Sequence, residues 1–155
     1  MTIRVSNESD FRDLIIRGLS ARGWLVDHHE DKISPNIPDL SFSGHSIDGW
    51  MELKWIGDTS VSGPSVVSNL TAGQTRWLML HGMKGSGNCY LVIGGVELSM
   101  IVPWRLLPIL RPKSTWRSVV RNPDIIWIAG SDSCAKIVSK IHAQLTKRGG
   151  LITDG

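Results

Sequence analysis

Residues 38–56 read PDLSFSGHSIDGWMELKWI, and this stretch decides the fold. Leu40 and Phe42 alternate with polar neighbours, so Asp39 to Ser43 reads as a strand with one face towards a core. Gly44 to Gly49 contains two glycines and an aspartate, the composition of a hairpin connection. Trp50 to Ile56 is the returning strand. Its apolar residues Trp50, Met51, Leu53, Trp55 and Ile56 mark it as buried and central. Alternate residues of a strand share a side, so Glu52 and Lys54 point together and Leu53 points into the core. The hairpin sets Asp39 beside Glu52 at one end of the two strands. Two carboxylates and an ammonium on one buried face are costly unless they serve a purpose.

Outward from this hairpin the chain alternates helix and strand. Ser6 or Asn7 can cap a helix reaching about Arg22, with Phe11, Leu14, Ile15 and Leu19 at helical spacing and Gly23 as its stop. Trp24 to His29 reads as a short strand, and Glu30 to Ile37 as a polar loop. Gly57 to Asn69, rich in Ser, Gly and Pro, reads as a mobile connection. Thr71 suits the cap of a second helix with Gln74 at its third position. Gly85 to Gly87 end that helix. Tyr90 to Ile93 is an apolar run short enough for a buried strand. Leu98 to Val102 is a further strand, Pro103 to Leu110 a short helix and Ile125 to Ile128 a late strand. Ser131 or Asp132 caps a last helix carrying Ile137, Ile141 and Leu145. The order predicts an α/β fold: a mixed central sheet flanked by helices, with an αβββαβ core over about residues 6–95 and an α/β extension over about 96–155.

The whole-chain properties are ordinary for one domain of 155 residues, with 41% hydrophobic and 20% charged residues. Seven tryptophans are many, and most are expected as core or rim anchors. Cys89 and Cys134 lie far apart with no zinc-type spacing, as in a reduced cytoplasmic protein of a bacterial, archaeal or phage-infected cell. No apolar run reaches the roughly 18 residues of a membrane span, and the first turn is polar, unlike a signal peptide. A net charge of +3 permits contact with a phosphate backbone without requiring it.

Asp39, Glu52 and Lys54 make sense around Mg²⁺, with Mn²⁺ as its substitute. A hard cation takes oxygen ligands, one or two of them carboxylates. The backbone carbonyl of Leu53 could be another. Lys54 could orient a water or stabilise charge on a phosphate. The segments Ser34-Pro35-Asn36-Ile37-Pro38-Asp39-Leu40, Trp50-Met51-Glu52-Leu53-Lys54, Leu70-Thr71-Ala72-Gly73-Gln74 and Tyr90-Leu91-Val92-Ile93 together resemble the PD-(D/E)xK nuclease superfamily. They are similar to its VRR-NUC type and to small archaeal and phage Holliday junction resolvases. The resemblance runs from about Glu8 to Gly94; the chain beyond Val96 lies outside it. It implies a restriction-endonuclease-like fold and Mg²⁺-dependent hydrolysis of DNA, with branched DNA as substrate and a homodimer as the working form. It further implies that Asp39 and Glu52 bind the metal and that Lys54 assists the attacking water. A glutamate of the first helix, for which Glu8 is the candidate, completes such sites, and Gln74 stands near them.

Each residue also has a plainer explanation. Asp39 could be a turn residue after proline, and Glu52 and Lys54 a solvated strand face. Their common register favours the site. Glu8 could merely suit the helix dipole, with Asp10 and Asp13 as competitors, and Gln74 could form only a capping box with Thr71. His28, His29, Glu30 and Asp31 look like ligands, but neighbours on a strand face opposite ways and cannot all converge. His45, His81 and His142 read as surface or core residues. Arg76, Lys84, Arg105, Arg111, Lys113, Arg117 and Arg121 give a basic middle suited to DNA contact, with Trp104 and Trp116 among them as stacking candidates. The rival functions are a nicking, flap or restriction-type nuclease and a DNA-binding module without catalysis.

Overall fold

The protein is seen in a computed structural model that describes residues 4–30, 36–57, 70–110 and 114–153 of the chain, with side chains described as far as 147. The expected loop over residues 57–69 lies almost wholly outside the described residues, as does most of the one over residues 30–37.

Helix α1 (Glu8–Ser20) starts at Asn7, whose side chain accepts the Asp10 N–H at 2.8 Å. It buries the stripe Phe11, Ile15 and Leu19. Gly23, at φ 88°, turns the chain into β1 (Leu25–His28), followed by β2 (Leu40–Gly44) and β3 (Ile47–Gly57). The hairpin is tighter than its glycines suggest. Its turn is His45-Ser46, with φ of 50° and 65°, so the returning strand begins at Ile47 and includes Gly49. A two-residue turn with both residues at positive φ matches the twist of the strands. Tertiary contacts hold this unfavourable backbone: the His45 ring packs on Trp24 at 4.7 Å, and its Nε2 lies 3.0 Å from the Arg22 carbonyl. Gly49 has another reason to be glycine, since a Cβ there would lie 2.0 Å from the Asn88 carbonyl oxygen.

Next come α2 (Ala72–Lys84), β4 (Cys89–Gly95) and β5 (Leu98–Pro103), then a 3-10 turn at Trp104–Ile109. The chain continues through α3 (Trp116–Val119), β6 (Ile126–Ala129) and α4 (Ser133–Thr153). The single sheet has the order β1-β2-β3-β4-β5-β6. Only β3 and β4 pair in parallel, with α2 as their crossover; the other neighbours are antiparallel. The helix, three strands, helix and strand expected up to Ile93 are the observed order. The four-residue α3 had not been foreseen, being too short for a periodic signal.

One face of the sheet packs Met51, Leu53 and Val92 against α1 and against Ile137 and Ile141 of α4. The other packs Leu91 and Ile93 against Leu78 of α2, Leu107 and Val119. Residues 98–153 are therefore no appendage: β5 and β6 widen the same sheet, and α4 closes its first face. Cys89 is buried and Cys134 half-buried, both free thiols in the packing. Trp104 and Trp116 are corrected as stacking candidates. Trp116 is 8% exposed within the second cluster. Trp104 lies so close to α2 that a Cβ on Gly82 would meet its ring at 2.3 Å. No helix among the described residues is long and apolar enough to cross a membrane.

Candidate functional site

The site forms where β2 runs out beside β3. Extending their register places Asp39 opposite Glu52 and Pro38 opposite Leu53. Proline has no N–H, and the ladder stops there. The Leu53 N–H is instead taken by the Asp39 carboxylate, Oδ2 at 2.8 Å. The Asp39 N–H in turn donates to Glu52 Oε2 at 3.3 Å. Each carboxylate is thus fixed by the other strand's backbone. Pro38 also cannot donate to the Leu53 carbonyl, which points to the same edge as the Leu53 N–H, so that oxygen remains a possible ligand.

Glu52 is only 2% exposed. Lys54 Nζ lies 3.0 Å from its Oε1, and Gln74 Nε2 donates to the same oxygen at 2.9 Å. Gln74 also closes the capping box of α2. Its Oε1 accepts the Thr71 N–H at 3.1 Å, and Thr71 Oγ1 accepts the Gln74 N–H at 3.1 Å. The capping box therefore fixes the amide so that its NH₂ faces Glu52. Gln74→Ala is expected to slow any reaction at this site roughly 10- to 100-fold, as loss of a ligand-orienting partner does. Gln74→Glu, which keeps the cap but brings a charge towards Glu52, should be no better. Single-turnover rates of both variants would check this.

Burial pushes the Glu52 carboxyl up to about 7, with the Asp39 charge adding and Lys54 opposing. Burial also raises Glu8, again with Lys54 opposing and Asp39 adding. Glu8 thus senses the site from the start of α1, but no hydrogen bond among the described residues joins it to Asp39, Glu52 or Lys54. No three His, Cys, Asp or Glu side chains among the described residues stand together as a metal cluster. Asp39 and Glu52 are brought together; Glu8 is not brought into contact with them.

A divalent cation suits this pair. The donors are hard oxygens, two carboxylates held side by side with one lysine against them. A stability effect follows, with a definite sign. The folded carboxyl holds its proton up to about 7, whereas its ordinary value is 4.5. The folded state therefore binds more protons between these values, and stability falls as pH rises through them. Metal-free protein is expected to lose up to about 3 kcal/mol between pH 4.5 and 8 from this group. Mg²⁺ or Ca²⁺ at pH 8 should restore part of it, and urea denaturation reads both.

The basic residues are scattered. Arg76 is exposed on α2 close to Gln74. Lys84 is ten residues beyond Gln74, about 15 Å by helical rise. Arg105, Arg117 and Arg121 are exposed on the 3-10 turn, on α3 and just beyond it. Arg111 and Lys113 lie outside the described residues, as does Asp31. His28 pairs with Glu30 at 3.8 Å, whereas His29 turns the other way to Ser41 Oγ at 2.7 Å. Its backbone N–H donates to the Asp39 carbonyl at 2.8 Å. Sequence reading missed that His29, Asp39 and Glu52 share one row across three strands, because register between strands is not written in any one of them. It also passed over Trp77, although helical spacing sets it one turn after Gln74.

No protein-family model matches the chain, and no curated protein does. Among solved structures it is similar to Hjc, a Holliday junction resolvase from the archaeal hyperthermophile Archaeoglobus fulgidus. The two are 14% identical, the match covers 84% of this chain and 98% of the other, and the TM-score is 0.48. At that score the functional reading rests on the side chains described above.

Proposed function

We propose that the chain is a divalent-metal-dependent DNA endonuclease that hydrolyses phosphodiester bonds, with branched DNA as its preferred substrate. The observation that supports it most is the pairing of Asp39 and Glu52 through reciprocal backbone bonds, with Lys54 at 3.0 Å from Glu52. Asp39, Glu52 and the Leu53 carbonyl would hold Mg²⁺ or Mn²⁺, which when bound supplies Lewis acidity and a more acidic water. The chain's own groups do the rest. Asp39 and Glu52 are each held by the other strand's backbone. Lys54 orients the attacking water and offsets charge gathering on the phosphate oxygens. Gln74 holds Glu52 in place. Glu8 supports the cation through its charge. The branched substrate comes from the sequence resemblance rather than from residue chemistry.

The test is cleavage of an end-labelled panel: a four-way junction, a flap, linear duplex and single strand, each with Mg²⁺, Ca²⁺ or chelator. The expected result is cutting of the junction in Mg²⁺, binding with little turnover in Ca²⁺, and none with chelator. Paired symmetric cuts would also carry the twofold assembly. Preference for flap or duplex keeps the chemistry and changes the substrate. Binding without cutting in either Mg²⁺ or Mn²⁺ overturns the enzyme.

A further inference from the structure

A strip of aromatic rings runs from the carboxylate pair along α2. Trp50 precedes Glu52 by two residues on β3 and so shares its face. The His29 ring lies 5.1 Å from Trp50 on one side, and Trp77 lies 4.9 Å away on the other, edge to face. His81 stacks flat on Trp77 at 3.4 Å and 7°. Its Nδ1 is 2.9 Å from the Trp77 carbonyl, which fixes the ring in that position. Gln74, Trp77 and His81 follow one stripe of α2, so the rings extend about 5–10 Å from the residue that holds Glu52. That is a step of one to three stacked nucleotides.

The strip lies at the rim of the core, with Trp50 and Trp77 packed against its second cluster. Phe11, Phe42, Trp24, Tyr90 and Trp116 are buried, whereas His29, Trp50 and Trp77 are half-buried and His81 is exposed. Towards β2 and β1, Trp50 is flanked by half-buried Ser41 and Ser43 and exposed Asp27 and Asp48, whereas towards β4 it pairs with buried Cys89. Arg76 stands exposed beside Trp77 on the same helix. The exposed His81 ring, stacked on Trp77 and continuous through α2 with a phosphate-directed site, suits an unpaired nucleobase.

We infer that Trp50, Trp77 and His81 form a stacking platform for unpaired DNA bases flanking the bond to be cut, with His29 at its foot. The inference rests on the nuclease reading for its substrate, but binding tests it without cleavage. In Ca²⁺, wild type should bind a short labelled dT oligonucleotide more tightly than a blunt duplex of equal length. His81→Ala removes the exposed half of the stack and leaves the core untouched. It should weaken single-strand binding about tenfold, the scale of one lost base stack, and leave duplex binding unchanged. His81→Phe should restore it. Trp77→Phe should bind better than Trp77→Leu. Unchanged single-strand affinity in His81→Ala overturns the platform, as does a wild type with no preference for single strands. A joint fall in both affinities with loss of a dimer by light scattering assigns the strip to a second copy of the chain and overturns it too. Failure of the nuclease reading looks different: no DNA is cut in Mg²⁺ while the single-strand preference persists.

Discussion

Asp39→Asn and Glu52→Gln are each expected to lower DNA cleavage at least about a thousandfold while the chain stays folded and still binds DNA. Both substitutions keep the shape and remove the charge. Asn at 39 can still accept the Leu53 N–H through its oxygen, so the end of β2 holds. Glu52 then loses the neighbouring charge that helps to raise it, and its carboxyl should fall back towards the ordinary range. Gln at 52 has the opposite effect on stability. In wild type the ionised Glu52 is buried at a cost of up to about 3 kcal/mol at pH 8, by its shift from 4.5 to about 7. The amide removes that cost. It can offer an oxygen to Lys54 and Gln74, or to the Asp39 N–H, but not to both, so it gives up one hydrogen bond worth about 1 kcal/mol. Metal-free Glu52→Gln should therefore be more stable than wild type at pH 8 by about 1–2 kcal/mol, with no advantage near pH 4.5. Urea denaturation at the two pH values, beside single-turnover cleavage, measures both. A dead variant that is also less stable at pH 8 would mean that Glu52 is not held ionised against its surroundings. Loss of activity with gain of stability is the trade expected where function maintains an unfavourable charge.

Lys54→Ala should slow cleavage about 100- to 1000-fold, the usual loss when one electrostatic stabiliser is removed. Lys54 lies 3.0 Å from Glu52 and is 13% exposed, so its charge acts in a poorly screened setting. Its loss has a second consequence that separates it from a surface lysine. Lys54 lowers both Glu52 and Glu8, so without it both carboxyls should hold their protons to higher pH. The pH at which the residual activity rises should move up in Lys54→Ala. More Mg²⁺ should move it down again, since a cation competes with protons for the carboxylates. Lys54→Arg keeps the charge but not the compact ammonium. It should return the pH midpoint to that of wild type while recovering only part of the rate. A rate loss with no change in the pH profile would show that Lys54 acts on the DNA alone and not through the carboxylates.

Much of this arrangement was legible in the chain itself. The alternation of Leu40 and Phe42, the spacing of Glu52 and Lys54, and Thr71 three residues before Gln74 are local patterns fixed by strand and helix geometry. They placed β2, β3 and the start of α2, and they put Glu52 and Lys54 on one strand face. What the sequence left open depends on contacts between distant segments. The His45-Ser46 turn adopts positive φ because Trp24 and the Arg22 carbonyl hold it, and no local propensity announces that. Trp104 and Trp116 stand among basic residues in the sequence, but Trp104 is half-buried against α2 and Trp116 is buried in the second cluster around α3. His29 joins the row of Asp39 and Glu52 only through strand register, and Trp50 meets Trp77 only when α2 settles on the sheet. The strands at 98–102 and 125–128, the short helix after Pro103 and the last helix are legible in the final sixty residues, but not that β5 and β6 extend the same sheet and α4 covers its first face. The sequence by itself determined which residues share a face; only the tertiary structure decided which faces meet, because pairing and packing act between segments whose separation along the chain carries no periodic trace.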